Sequence, residues 1–184
     1  LRGPVGMNRV YIEAAEDLTN NTIVNALTEG RSFVTNGPLL GLKIANAMAG
    51  DSIEINKRTR LKFESFLRSS VPIDYLELVW NGEVIKKYKW GKNRKVAEFN
   101  GEIDVDGPGW LLLRAWSEQP DKDVPDCYPY ASTNPIYITS SNKKFSSKSS
   151  ANYFIEWLNR LELAASSDEN YRTDEEKMMI LKDI

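Results

Sequence analysis

A chain of 184 residues that is 41% hydrophobic is long and apolar enough to build a real core, as one domain or as a domain with an appendage. Its net charge of −2 gives no reason to expect nucleic acid as a partner, and no run approaches the roughly 20 apolar residues of a membrane helix. The chain contains no histidine, which excludes Ser-His-Asp and Cys-His catalysis and every His-based zinc site within it.

The opening "LRGPVGMNRV" does not start with Met and lacks the charged and apolar regions of a signal peptide. It is therefore expected to be an excised part of a longer protein, whose setting, cytoplasmic or secreted, is left open. Residues 8–14, "NRVYIEA", alternate as a strand. Residues 17–30, "DLTNNTIVNALTEG", predict a short helix capped by Asn20 or Asn21, with Ile23, Val24 and Leu27 as its apolar face and Gly30 at the left-handed C′ position. In "GRSFVTNGPLL", residues 30–40, proline cannot donate to a ladder, so Gly37-Pro38 marks a strand boundary or bulge. "LLGLKIAN" and "DSIEI" bracket the turn "AMAG". "RTRLKFESFLRSS" alternates at Leu61, Phe63 and Ser65.

The clearest hairpin is "IDYLELVWNGEVIKKYKW", where Asn81-Gly82 suits the positive φ angles of a type I′ turn. The basic cluster "KKYKWGKNRK", residues 86–95, reads as a solvated tip or a lysine-guarded edge. Two more strands flank "DVDGPG", residues 104–109. An EF-hand would need a glutamate at the twelfth loop position counted from Asp104 as the first, but Ala115 stands there, so this is a tight turn rather than a calcium loop. Glu77, Glu83, Glu98 and Glu102 fall on strands or turns and are taken as surface residues rather than a hydrolytic carboxylate pair. The one cysteine, Cys127, rules out an internal disulfide and has no histidine to activate it. "TNPIYITS" closes the strand series.

Seven or so short strands broken by Gly, Pro and Asn predict an antiparallel, immunoglobulin-like β-sandwich over residues 31–140. A Ser/Lys-rich linker, residues 141–150, leads to helices over residues 151–184, where Phe154, Ile155, Leu158 and Leu161 recur at helical spacing. Thr173 and Glu176 form a capping box for the last helix, and Met178, Met179 and Ile180 are expected to pack on the preceding helix or the sandwich.

In "GWLLLRAW", Trp110, Leu112, Arg114 and Trp116 point to one face and Leu111, Leu113 and Ala115 to the other. Trp110, Arg114 and Trp116 are candidates for a stacking platform for sugar rings or for a protein partner. The alternative is a face packed beneath the C-terminal helices, with Arg114 reaching a carboxylate at the rim.

Taken in order, "NRVYI", "IVNALTEGRSFVTNGPLL", "AGDSIEI", "PIDYLELVWNGEVI", "GWLLLRAW", "ASTNPIYIT" and "ANYFIEWLNRL" resemble the C-terminal region of PHP-type (polymerase and histidinol phosphatase) metallohydrolases, in their carbaryl-hydrolase-like branch. The resemblance covers residues 8 to about 161. It implies an N-terminal catalytic domain upstream, holding the divalent metal and serving as this chain's partner. Residues 1–30 would then be the tail end of that domain, and no catalytic or metal-binding residue would lie in this chain. "GRSFVTNGP" would be the crossing between domains, with Arg31, Thr35 and Asn36 as candidates for the domain contact or the substrate cleft. Relatives often read Ala-His-Thr-Ser-Pro where this chain has Ala131-Ser132-Thr133-Asn134-Pro135, so any role of that histidine is absent from Ser132.

Overall fold

The computed structural model describes residues 6–14, 18–124, 128–168 and 170–184; Cys127 lies outside them. In chain order the elements are β1 (Arg9–Ile12), α1 (Asn20–Thr28), β2 (Ser32–Thr35), β3 (Leu39–Ile44), β4 (Ser52–Glu54), β5 (Thr59–Arg68), β6 (Tyr75–Trp80), β7 (Glu83–Lys87), β8 (Val96–Glu98), β9 (Gly101–Val105), β10 (Gly109–Trp116), β11 (Tyr130–Thr133), β12 (Ile136–Thr139), α2 (Lys148–Ser167) and α3 (Asp174–Asp183). They form a β-rich unit, Leu1–Lys144, and a helical unit, Phe145–Ile184.

The strands make two sheets. In the larger, β10 is central. One side pairs with β6, placing Arg114 opposite Glu77 and Trp116 opposite Tyr75, and β6 passes on to β7. The other side meets β11 near its end and β12 near its start. Residues 130–139 are thus one strand interrupted at Asn134-Pro135, where proline supplies no N–H. β11 continues into β2 and β1, while β12 carries β4. The β4–β12 pair is parallel, unlike the antiparallel pairing expected throughout. The reason is that β3 belongs to the smaller sheet, so the turn after it carries the chain across to the other sheet, where β4 arrives alongside β12.

In the smaller sheet β5 pairs with β3 on one side and with β8 and β9 on the other. Its side chains alternate as predicted, with Leu61, Phe63, Ser65 and Leu67 buried. Ser65 is the polar exception, and the break between β8 and β9 satisfies it. Its hydroxyl donates to the Phe99 carbonyl at 2.5 Å, and its N–H donates to Asn100 Oδ1 at 3.2 Å. Leu40, Leu42, Phe63 and Leu67 from this sheet share one apolar core with Leu76, Leu78, Leu111, Leu113 and Ile136 from the other. Each fully buried leucine of this kind contributes roughly 2 kcal/mol.

Asn81 has φ 49° and Gly82 φ 92°, so the hairpin between β6 and β7 has the predicted two-residue turn. A Cβ at Gly82 would meet nothing within 4 Å, so a substitution there pays only the backbone cost. Gly82→Val is expected to destabilise by more than ~1 kcal/mol, because a β-branched residue resists positive φ. An unchanged melting temperature would count against this turn.

Three expectations about the helices are corrected. The N-cap of α1 is Thr19, not Asn20 or Asn21, and it forms a reciprocal box with Thr22. At the other end Gly30, φ 72°, does sit at C′: its N–H donates to Leu27 and that of Arg31 to Ala26, a Schellman closure. Only Ala26 of α1 is buried; Ile23, Val24 and Leu27 are exposed, since β1 and α1 have few contacts. α2 starts at Lys148 behind Ser147, inside the expected linker. Thr173 caps α3 as predicted, although Glu176 reaches back to the Arg172 N–H. Met178, Met179 and Ile180 are exposed rather than packed, because Tyr171 and Lys177 fasten α3 to the end of α2, donating to the carbonyls of Ala165 and Ser166.

Candidate functional site

The stretch of residues 30–38 is held by its polar side chains. Thr35 is buried, and its hydroxyl accepts from the Gly37 N–H at 2.8 Å and donates to the Pro38 carbonyl at 2.6 Å, closing the turn on itself. Gly37 is not left-handed, and a Cβ there would meet only Val124 at 3.8 Å. The turn is therefore set by the threonine hydroxyl, not by the freedom of glycine. Asn36 is also buried and reaches across to the loop before β11. Its Nδ2 donates to the Tyr128 carbonyl at 2.6 Å, its Oδ1 accepts from the Tyr130 N–H at 2.8 Å, and its own N–H donates to the Tyr130 carbonyl at 3.1 Å. Arg31 is half-exposed and pairs with Glu29 at 3.0 Å.

At the start of the stretch, three distant segments converge. Asn134 Nδ2 donates to the Gly30 carbonyl at 3.1 Å and to Ser32 Oγ at 2.9 Å, while the Gly50 N–H donates to the Pro135 carbonyl at 2.9 Å. Gly50 has φ 91°, and a Cβ on it would stand 2.1 Å from the Glu29 carbonyl oxygen. No side chain fits there.

Beside Asn36 opens a cleft of about 560 Å³. Arg9, Val10, Val34, Thr35, Asn36 and the tyrosines Tyr128 and Tyr130 line it. Arg9 Nη2 donates to the Asn36 carbonyl at 3.3 Å. Val10, Val34, Tyr128 and Tyr130 are 54%, 44%, 55% and 44% exposed, so the cleft presents apolar surface to solvent.

Further along the same face, direct cross-strand neighbours run Val10, Val34, Ser132, Arg114, Glu77 and Lys87, from β1 to β7. Ser132 stands in the middle of this row. Glu77, expected at the surface, is 1% exposed. It accepts from Arg114 Nε at 2.8 Å, Trp116 Nε1 at 3.1 Å and Lys87 Nζ at 3.2 Å. Burial pushes its pKa up, but these three donors outweigh that and hold the carboxyl below the ordinary carboxylate range. Arg114 thus reaches a carboxylate, but a buried one rather than one at the rim. Trp116 also stacks on Tyr75 with ring centroids 4.3 Å apart. Of the platform trio, Trp116 Nε1 and Arg114 Nε are engaged by Glu77, while Trp110 lies four residues before Arg114 on β10, opposite Tyr137 of β12. In the basic cluster, Lys87 is held by Glu77, Arg94 by Asp74, and Lys95 by the Ser70 carbonyl. Tyr88 and Trp90 pack inward.

Among the described residues no three His, Cys, Asp or Glu side chains come together to hold a metal. Asp104 instead accepts from Arg58 and Arg60. Comparison with known proteins finds no matching family model, no similar curated protein and no similar solved structure. Sequence reasoning missed Glu77, Arg9, Tyr128, Tyr130 and Asn134. Only Glu77 left a local sign, as a carboxylate inside the apolar run "YLELVW".

Proposed function

We propose that this chain is the non-catalytic, immunoglobulin-like β-sandwich region of a PHP-type metal-dependent hydrolase, bracing a catalytic domain and bordering its substrate cleft. The order of sequence motifs is one support. The observation that carries most weight is that three of those motifs meet at one junction, through Gly30, Gly50 and Asn134-Pro135. A point of contact with no room for a Cβ gives these separate stretches a common physical purpose. The exposed apolar stripe of α1, Ile23, Val24 and Leu27, supplies a surface for the preceding domain to cover. The chain has no histidine, no three His, Cys, Asp or Glu side chains converge among the described residues, and Asp104 and Glu77 are engaged by arginines. The metal belongs to the upstream domain in this reading.

The purified chain, supplied with zinc, manganese or magnesium, is expected to hydrolyse neither carboxylic esters nor phosphate monoesters above background. Chelator-sensitive turnover would overturn the non-catalytic reading. The parent reading is checked by the residues encoded before Leu1: a His-x-His pattern with further His and Asp is expected there, and its absence would overturn the family. A free-standing sugar- or protein-binding module has less support, because the indole N–H of Trp116 and the Nε of Arg114 are engaged by Glu77 and Trp116 is stacked on Tyr75.

A further inference from the structure

We infer that the cleft beside Asn36 is a binding site for a small organic carboxylate with a flat apolar body. Four features of the cleft lead there. Its size, about 560 Å³, is in the range that holds a small ligand. Among the described residues lining it, Arg9 alone is charged, and it brings a positive charge. Among the described residues the Arg9 guanidinium has a single partner, the Asn36 carbonyl, which leaves most of its five donors for a ligand. The flat fork of that group matches a carboxylate, one charge to one charge.

The apolar half of the site is equally defined. Val10 and Val34 are direct cross-strand neighbours and share a face, and both are exposed. Tyr128 and Tyr130 add two rings with hydroxyl groups at their ends. Asn36 ties β2 to residues 128–130 through three hydrogen bonds of its own side chain and N–H. A braced Asn36, a guanidinium with most of its donors open and exposed apolar walls make a site that recognises both ends of an aryl or similarly planar acid. Every residue named here lies within the β-rich unit, so the chain as it is carries the site.

The test uses the chain as it is, with benzoate as probe and benzyl alcohol as its uncharged counterpart. Methyl resonances of Val10 and Val34 are followed by NMR during titration. Benzoate in the millimolar range is expected to move them saturably, and benzyl alcohol to bind at least about tenfold more weakly, as loss of a charge-assisted pair requires. Arg9→Gln, at an exposed position, should weaken benzoate by a similar factor while Arg9→Lys retains part of the binding. Tyr130→Ser should weaken both probes, with the methyl spectrum otherwise native. Absence of saturable shifts, equal binding of the two probes, or undiminished benzoate binding by Arg9→Gln would each overturn the assignment.

Discussion

Gly50→Ala is expected to lower the stability of the β-rich unit by about 3 kcal/mol or more, the combined cost of a strained positive φ and of forced overpacking. The φ of 91° already disfavours any L side chain, and the added methyl would lie 2.1 Å from the Glu29 carbonyl oxygen. That oxygen cannot swing aside, because the backbone around it closes α1 through the Arg31 and Gly30 N–H bonds. Chemical denaturation should show the loss as a lower midpoint, with a melting temperature down by roughly 10 °C. Two controls bracket the effect. Gly30→Ala should cost less, since its Cβ would stand 3.4 Å from Gly50 and only the φ of 72° resists. Gly107→Ala, with ordinary φ and its nearest neighbour 3.8 Å away, should be neutral. A neutral Gly50→Ala would mean that Gly50 does not press on the Glu29 carbonyl in the folded protein.

Arg114→Ala should cost about 3 kcal/mol at pH 7, the price range for stranding a buried carboxylate. Glu77 would keep the Trp116 N–H and the exposed Lys87, but lose the donor only 2.8 Å away. The pH dependence gives a sharper check. Glu77 has its pKa lowered in the folded state, so its contribution is fully present above the ordinary carboxylate pKa. It is lost as pH falls through the folded value, where the carboxyl becomes neutral. The difference between wild type and Arg114→Ala should therefore shrink on acidification below about pH 4. Glu77→Gln should flatten the acid limb of the stability curve. A penalty independent of pH would show that Arg114 acts by packing alone.

Asn36→Ala bears on the turn of residues 35–38 as well as on the cleft. Because Asn36 is buried and bonded to Tyr128 and Tyr130, its loss should unsettle the fold by about 2 kcal/mol, read as a lower denaturation midpoint. Arg31→Ala, with an exposed partner, should leave the fold intact and is the cleaner probe of a domain contact.

The parts of the fold that the sequence made legible are those with a local signature. The period of two in β5 and β10 is written in the residues themselves, as is the Asn81-Gly82 turn and the Gly30 helix end. What stayed hidden depends on partners far along the chain. Glu77 looks like a surface residue until donors from β7 and β10 are brought to it. The parallel course of β4 has no local mark, because its direction is decided by β12. "NGP" invites an account from glycine, whereas the decisive atom is the Thr35 hydroxyl one step earlier. The cleft was invisible for the same reason: Arg9 and Tyr130 are neighbours only through the pairing of β1, β2 and β11. The N-cap of α1 shows a smaller limit, since Thr19, Asn20 and Asn21 all carry a suitable oxygen and only the reciprocal bond to Thr22 decides among them.

The interrupted strand of residues 130–139 also governs how the chain can be made. Asn134 closes on Gly30 across 104 positions, and Tyr130 on Asn36 across 94. During synthesis β1, α1 and β2 leave the ribosome long before the residues that complete their sheet exist. Closing such distant pairs is slow, and until then unpaired edges and apolar side chains stay open to wrong partners. A ribosome that stalled just before Tyr130 would hold a nascent chain whose first strands have no sheet to join. Protease protection of β1 and β2 should therefore appear abruptly, only after residue 139 has cleared the exit tunnel.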